Sequence, residues 1–513
     1  MSAFRLAFRF AQVALRFLSF SVVLLVSSMR VDAAAGTDSL DLAARSPLYE
    51  GDGGASCSHF LADVLPWERR GGDWRDARGK LHGEQPFAEA APGTSSTSWD
   101  VTGLVRQWAE KGVSRGAFFL RPVSGSGYVK FSSREGKSQS DWPVLILEMD
   151  NGRRQVLKPT ADTQLDCSTR RSLGTLDALQ VSGSVVSLVQ FQLPADLSAR
   201  RLQSAQLVLS SLLAPRGKDL RIGIFEVAVP AFPASPERRG LAADYPADEG
   251  IATNSDVVFA AGFEEWLRWV WPWEKNPVGE FDVVSADWDR RFEPLVGKAL
   301  RVKIKKGAHY GANLRVLLKD HGGEVDELFF RYYLRLGDDW DPTVDGGKLP
   351  GLAGTYGKAG WGGRRSDGTN GWALRGGFFR AFPADHPLHG LTQLSTYAYH
   401  ADMESAYGDP WSWPGALLQR NRWYSIEQQV RLNTPGLADG VLRVWLDGRL
   451  LMERQNLRLR TIDALHIETV WLDVYHGGTA QSPYDQHLYI DNVVVARRYI
   501  GPMAGRPGGN AGK

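Results

Sequence analysis

Apolar and polar positions alternate with a period of two over many short stretches of this chain, and helical spacing is rare. The runs include Gly116–Leu120, Trp142–Leu147, Gln206–Leu209, Leu220–Phe225, Leu328–Leu336, Val441–Leu446 and Leu488–Val495. Many are bounded by Gly, Pro, Asn or Asp, the residues that end strands and build turns. The pattern predicts an all-β protein of stacked antiparallel sheets, with two β-sandwich, jelly-roll-like regions. Asp100–Gln107 is the clearest helical exception.

The alternation lapses between the two regions. Pro233, Pro236 and Pro246 fall in a stretch without periodicity, which predicts a Pro-rich linker over 231–254. It separates a region at 45–230 from one at 255–500, and the glycine-rich end, 501–513, is expected to be a flexible tail. At the other end, Arg5, Arg9 and Arg16 precede the apolar run Phe17–Val26, and Val31-Asp32-Ala33 has the small-residue form of a cleavage site. The run is short for a bilayer span, so residues 1–33 read as a signal peptide and less well as an uncleaved anchor. The expected protein is secreted or periplasmic, with no membrane insertion after cleavage.

Charge and cysteine content narrow the classes further. Sixty Lys and Arg stand against 58 Asp and Glu, with no dense basic stripe, so a nucleic-acid partner is not expected. The two cysteines, Cys57 and Cys167, are a disulfide candidate in an oxidising compartment. No Cys/His spacing suggests zinc.

Candidate chemistry concentrates in the second region. Side chains two apart on a strand share a face. Tyr397 and Tyr399 therefore point together, as do Ala373 and Arg375, and as do Trp471, Asp473 and Tyr475. The same rule groups Arg331, Tyr333 and Arg335, expected with Trp471 and Tyr475 to bind substrate. Lys348 reads as a cation in a tight turn, Gly346–Leu352. Two fixed cations and several phenols suit an acidic polysaccharide better than a phosphate or a peptide.

Two resemblances give these residues a context. Trp99–Trp108, Gly116–Leu120, Phe131–Glu135 and Trp142–Leu145 resemble the disaggregatase-related carbohydrate-binding modules, which are jelly-roll sandwiches. The strand resembling Leu188–Leu193 precedes the helix in that family and follows it here, so the order is permuted or two partial modules abut. Trp99 and Trp108 read as core. The order Gly346–Leu352, Trp372–Arg375, Tyr397–Tyr399 and Tyr489–Val493 resembles the alginate lyase and glucuronan lyase group, polysaccharide lyase families fourteen and twenty. That resemblance implies a jelly-roll enzyme cleaving a uronic-acid polymer in a groove on one sheet. It also implies that Lys348 is catalytic. Ala373 departs from the pattern, because the family often carries a serine there.

Eliminating a 4-linked uronate needs its carboxylate neutralised, a base for the C5 proton and an acid for the departing O4. Arg375 suits the carboxylate, since its planar fork keeps its charge. Tyr397 and Tyr399 are candidates for acid and base, with pKa values expected to be lowered by nearby cations. Lys348 could neutralise the carboxylate or take the proton. No cofactor is required, although a structural calcium ion is compatible with such sandwiches. Two rivals stand beside a lyase. A glycoside hydrolase would need a carboxylate pair, for which Asp402, Glu404, Asp473 and Asp485 are available without a selecting spacing. A non-catalytic polysaccharide-binding protein is the stronger rival.

Overall fold

Each alternating stretch falls on a strand in the computed structural model, and the protein is all-β apart from one α-helix and short 3₁₀ turns among the described residues. The structure describes residues 54–505 except 62–64, 170, 230–237, 265–277, 343, 385 and 387. The expected signal peptide at 1–33 lies outside the described residues, as do 506–513 of the expected tail.

In the first region two antiparallel sheets face each other. One contains the long strand Arg115–Ser132 between Arg216–Val227 and Val185–Gln192; the other runs Ser96–Asp100, Leu202–Ser210, Val144–Met149, Arg154–Leu157. Inward-facing Trp99, Phe118, Phe131, Leu207 and Ile222 fill the space between them. The helix, Thr102–Glu110, turns Leu104, Val105 and Trp108 onto that core. Trp99 and Trp108 are each 1% exposed, so both are core. Cys57 and Cys167 form a disulfide, with Cα atoms 5.0 Å apart and a separation of 110 positions in sequence. Closing a loop of that length stabilises the fold by on the order of 4–5 kcal/mol.

The second region is a sheet curled back on itself. Six antiparallel strands make one face, in the order Asp409–Leu418, Thr392–Tyr399, Trp372–Phe378, Gly347–Gly354, Thr469–His476, Tyr310–Leu317. Val278–Val284 pairs with Tyr310–Leu317 through its first two residues and with Ala299–Ile304 through the rest, so it carries the chain from one face to the other. The second face continues through Gln486–Ala496, Glu327–Leu336, Trp423–Arg431, Gly440–Leu446 and Arg449–Leu457. Alternate side chains meet between the faces, among them Leu314, Tyr332, Leu352, Trp372, Leu374, Trp413, Leu472 and Ile490. Each large apolar side chain buried there contributes about 1.5–3 kcal/mol relative to exposure.

Three expectations change on this frame. Lys348 lies within the strand Gly347–Gly354, not in a tight turn. Pro350 is tolerated there because the register shifts between Leu349 and Gly351, a bulge that relieves the ladder of the missing N–H. The stretch expected as linker is ordered where described. Leu241, Ala242 and Ile251 are buried against Phe329, Trp445 and Tyr499. Residues 501–504 are also held, because the Gly501 N–H donates to Glu427, Met503 N–H to the Tyr333 hydroxyl and Ala247 N–H to the Ala504 carbonyl. The two regions share an apolar cluster in which Phe60, Leu65 and Trp67 meet Leu388, Leu391 and Leu417.

Candidate active site

On the six-stranded face the residues that point away from the core line a cavity of about 410 Å³. Lys348, Arg375, Tyr397, Tyr399, Trp471 and Tyr475 all reach it, from four strands. Register explains the convergence. Lys348 stands opposite Tyr475 on one neighbouring strand and Gly377 on the other, and Arg375 stands opposite Tyr397. Period-two alternation then turns each of these side chains out of the core, while Leu349, Leu374, Ala398 and Val474 point inward.

Lys348 is mostly buried. Its Nζ donates to the Gly477 carbonyl at 3.0 Å and lies 4.6 Å from the Tyr397 ring centre and 4.9 Å from that of Tyr475. Burial, and next the charge of Arg375, lower its pKa to about 8, against the pull of Asp473 and Asp345. Arg375 forms an ion pair with Asp473 at 2.6 Å, with both side chains buried. Its guanidinium also lies over the Trp471 ring at 4.6 Å, and Trp471 Nε1 donates to Asn313 at 2.7 Å. Trp471 is 3% exposed, so it backs Arg375 instead of offering a ring face to a sugar.

Tyr397 behaves differently from the expectation. Burial raises the Tyr397 pKa, Tyr399 raises it further through charge and a hydrogen bond, and Arg375 opposes them too weakly to reverse the sign. Tyr397 therefore stays a neutral phenol, able to donate. The two rings meet edge to face at 5.7 Å, and Ala373 packs beneath Tyr399 with Ala353 and Met403. A serine at 373 would put a hydroxyl in this apolar layer. Burial also raises Tyr475, which stacks on His309 at 5.2 Å.

Arg331, Tyr333 and Arg335 are not part of this site. Their strand, Glu327–Leu336, belongs to the second face, and its outer side is covered. Arg331 is fully buried, paired with Asp248 and bonded to the Gly501 and Asn492 carbonyls. Tyr333 accepts from the Met503 N–H at 2.7 Å, and Arg335 donates to the Arg291 carbonyl at 3.0 Å. Alternation correctly grouped these three but carried no information about what covers them. Conversely, Tyr310, Asp345, Trp361 and Tyr407 line the cavity and were missed. Asp345, Trp361 and Tyr407 sit in loops, where no periodicity exists to read. Among the described residues, no group of three or more His, Cys, Asp or Glu is placed to hold a metal ion.

The family described as Polysaccharide lyase 14 matches residues 297–493, which span every strand of the cavity. This region is a polysaccharide lyase domain. Among solved structures, the alginate lyase Aly36B is 23% identical, with 43% of this chain and 88% of that one covered and a TM-score of 0.35. The PL-14 alginate lyase from Aplysia kurodai is 21% identical, covering 47% and 98%, with a TM-score of 0.36. An endo-β-1,4-glucuronan lyase from Trichoderma reesei is 16% identical, covering 47% and 95%, at 0.33. No curated protein matches the chain.

Proposed function

We propose that the lyase domain cleaves a polymer of 4-linked uronic acid, of alginate or glucuronan type, by β-elimination in the Lys348 cavity. The observation that carries this reading is the meeting of a lysine held near pKa 8, a fixed arginine and a neutral phenol along one open floor. A hydrolase would need two carboxylates flanking the bond. Here Asp473 is committed to Arg375, and Asp345 accepts from the N–H groups of Gly346 and Gly478.

Each role follows from the state of the side chain. Arg375, kept charged and held by Asp473, faces the C6 carboxylate and offsets charge as the C5 carbanion develops. Lys348, neutral in a substantial fraction near pH 8, takes the C5 proton. The C4–O4 bond breaks as the C4–C5 double bond forms, and Tyr397 gives its proton to the departing O4, with Tyr399 hydrogen-bonded to it. Tyr310 and Tyr475, meeting edge to face at 4.9 Å at one end of the cavity, offer ring edges to a neighbouring sugar. Side chains supply all the positive charge this chemistry calls for, so the reading includes no cofactor.

The first region, on its resemblance to carbohydrate-binding modules, would bind a carbohydrate, and residues 1–33 would direct export. Mature protein beginning after Ala33 in the culture medium or periplasm is expected; an intact N-terminus retained in the cell would contradict export. The catalytic reading is tested by incubating the protein with alginate and glucuronan while following ultraviolet absorbance. A conjugated unsaturated uronate is expected. Binding of these polymers without the chromophore from either of them would overturn it.

A further inference from the structure

Beneath the groove floor lies a carboxylate that the elimination scheme does not use as acid, base or clamp. Asp473 is 1% exposed, and its Oδ2 accepts from Arg375 Nη1 at 2.6 Å. Its Oδ1 is buried with no hydrogen-bond partner, as is Arg375 Nε. The orphan Nε also occurs in the Arg331–Asp248 pair, but there both carboxylate oxygens accept hydrogen bonds, so the unpaired Oδ1, which costs free energy when buried, sets Asp473 apart. The Arg375–Asp473 pair also sits beside Lys348, one strand away on each side. Burial raises the Asp473 pKa, and Arg375 followed by Lys348 pull it down, which ties the three groups electrostatically.

We propose that Asp473 is a positioning residue of this site: it fixes the Arg375 guanidinium beside Lys348 and balances the charge of the two cations. The proposal rests on the elimination reading above and adds a residue to it. Without Asp473, two cations would share a mostly buried floor and repel, and Arg375 would be free to swing. With Asp473 present, one edge of the guanidinium is held and the lysine feels an arginine and an aspartate of opposite effect.

The arrangement makes a signed prediction. The groups facing Lys348 are Asp473, Tyr475 and His476 on one neighbouring strand, Arg375 on the other, Tyr397 beyond it, and Asp345 at the mouth. Only the neutral amine accepts a proton, so the rate rises as pH passes upward through the lysine pKa. Removing the aspartate charge favours the neutral amine, and removing the arginine charge favours the ammonium. In Asp473→Asn the acidic limb of the kcat/KM profile should therefore move to lower pH, by at least about half a unit. In Arg375→Gln it should move by a similar amount to higher pH.

Shifts of opposite sign support the proposal; unmoved limbs, or shifts of the same sign, overturn it. Thermal melts check that each variant folds, and should Asp473→Asn fail to fold, Asp473→Ser, which removes the same charge with a smaller side chain, is read in its place against Arg375→Gln. A second readout does not depend on turnover. The pH dependence of reductive methylation at Lys348, followed by peptide mass spectrometry, should show the same opposed shifts. If the wild-type protein makes no unsaturated product while these methylation shifts appear, the substrate reading falls and the positioning role stands.

Discussion

Arg331 and Arg375 of the second region are both buried, and each pairs with an aspartate, Asp248 from the preceding stretch in one case and Asp473 in the other. Arg331 is fully buried and also donates to two backbone carbonyls, while its partner Asp248 lines a second cavity, of about 400 Å³. Arg375 and Asp473 sit on the floor of an open cavity, with Nε and Oδ1 lacking partners. Each guanidinium leaves its Nε unpaired, but both Asp248 oxygens accept hydrogen bonds, from Arg331 and Asn492, whereas Asp473 Oδ1 has no partner. In the second pair, charge is concentrated beside a lysine and left incompletely used. The difference lies in the carboxylate and its neighbours, not in residue type or burial.

Substitutions at the two places should separate in what they damage. The largest effect is expected for Lys348→Ala, which should lower kcat on a polyuronate by at least about 10³-fold, with a melting temperature near wild type. Retained turnover would remove Lys348 from the chemistry. Arg331→Met should do the reverse. It strands Asp248 and two carbonyls, so stability should fall by about 3–5 kcal/mol in denaturant titrations while the folded fraction keeps its kcat. A smaller change is expected for Tyr397→Phe, a fall in kcat of about 10²-fold with little change in KM, as the proton to O4 is lost. An unchanged kcat there would pass the acid role to another group.

The same contrast explains how far the sequence could be read. Period-two alternation identified the outward faces of three site strands, and with them Arg375, Tyr397, Tyr399, Trp471 and Tyr475, because these strands bury one side against an apolar core. Applied to Arg331, Tyr333 and Arg335 it grouped the right side chains and gave them the wrong surroundings. The cover of Arg331 and Tyr333 comes from Asp248 and from Gly501 to Met503, and that of Arg335 from Arg291 and Phe292, on segments remote in sequence and without periodicity. Lys348 was found through its glycine-flanked motif, yet its place in a strand depends on a bulge at Pro350, which a turn-like composition conceals. The sign of the Tyr397 shift was likewise hidden, since burial outweighs the cation and burial belongs to the assembled sheet.

If the cavity around Lys348 breaks a glycosidic bond by elimination, water takes no part in the cleavage. Cleavage of alginate or glucuronan in ¹⁸O-labelled water, with mass spectrometry of the fragments, tests it most directly. The account predicts new non-reducing ends one water lighter than a saturated uronate and no ¹⁸O introduced by bond cleavage. Saturated ends with labelled oxygen at the cleaved bond would show hydrolysis and contradict it.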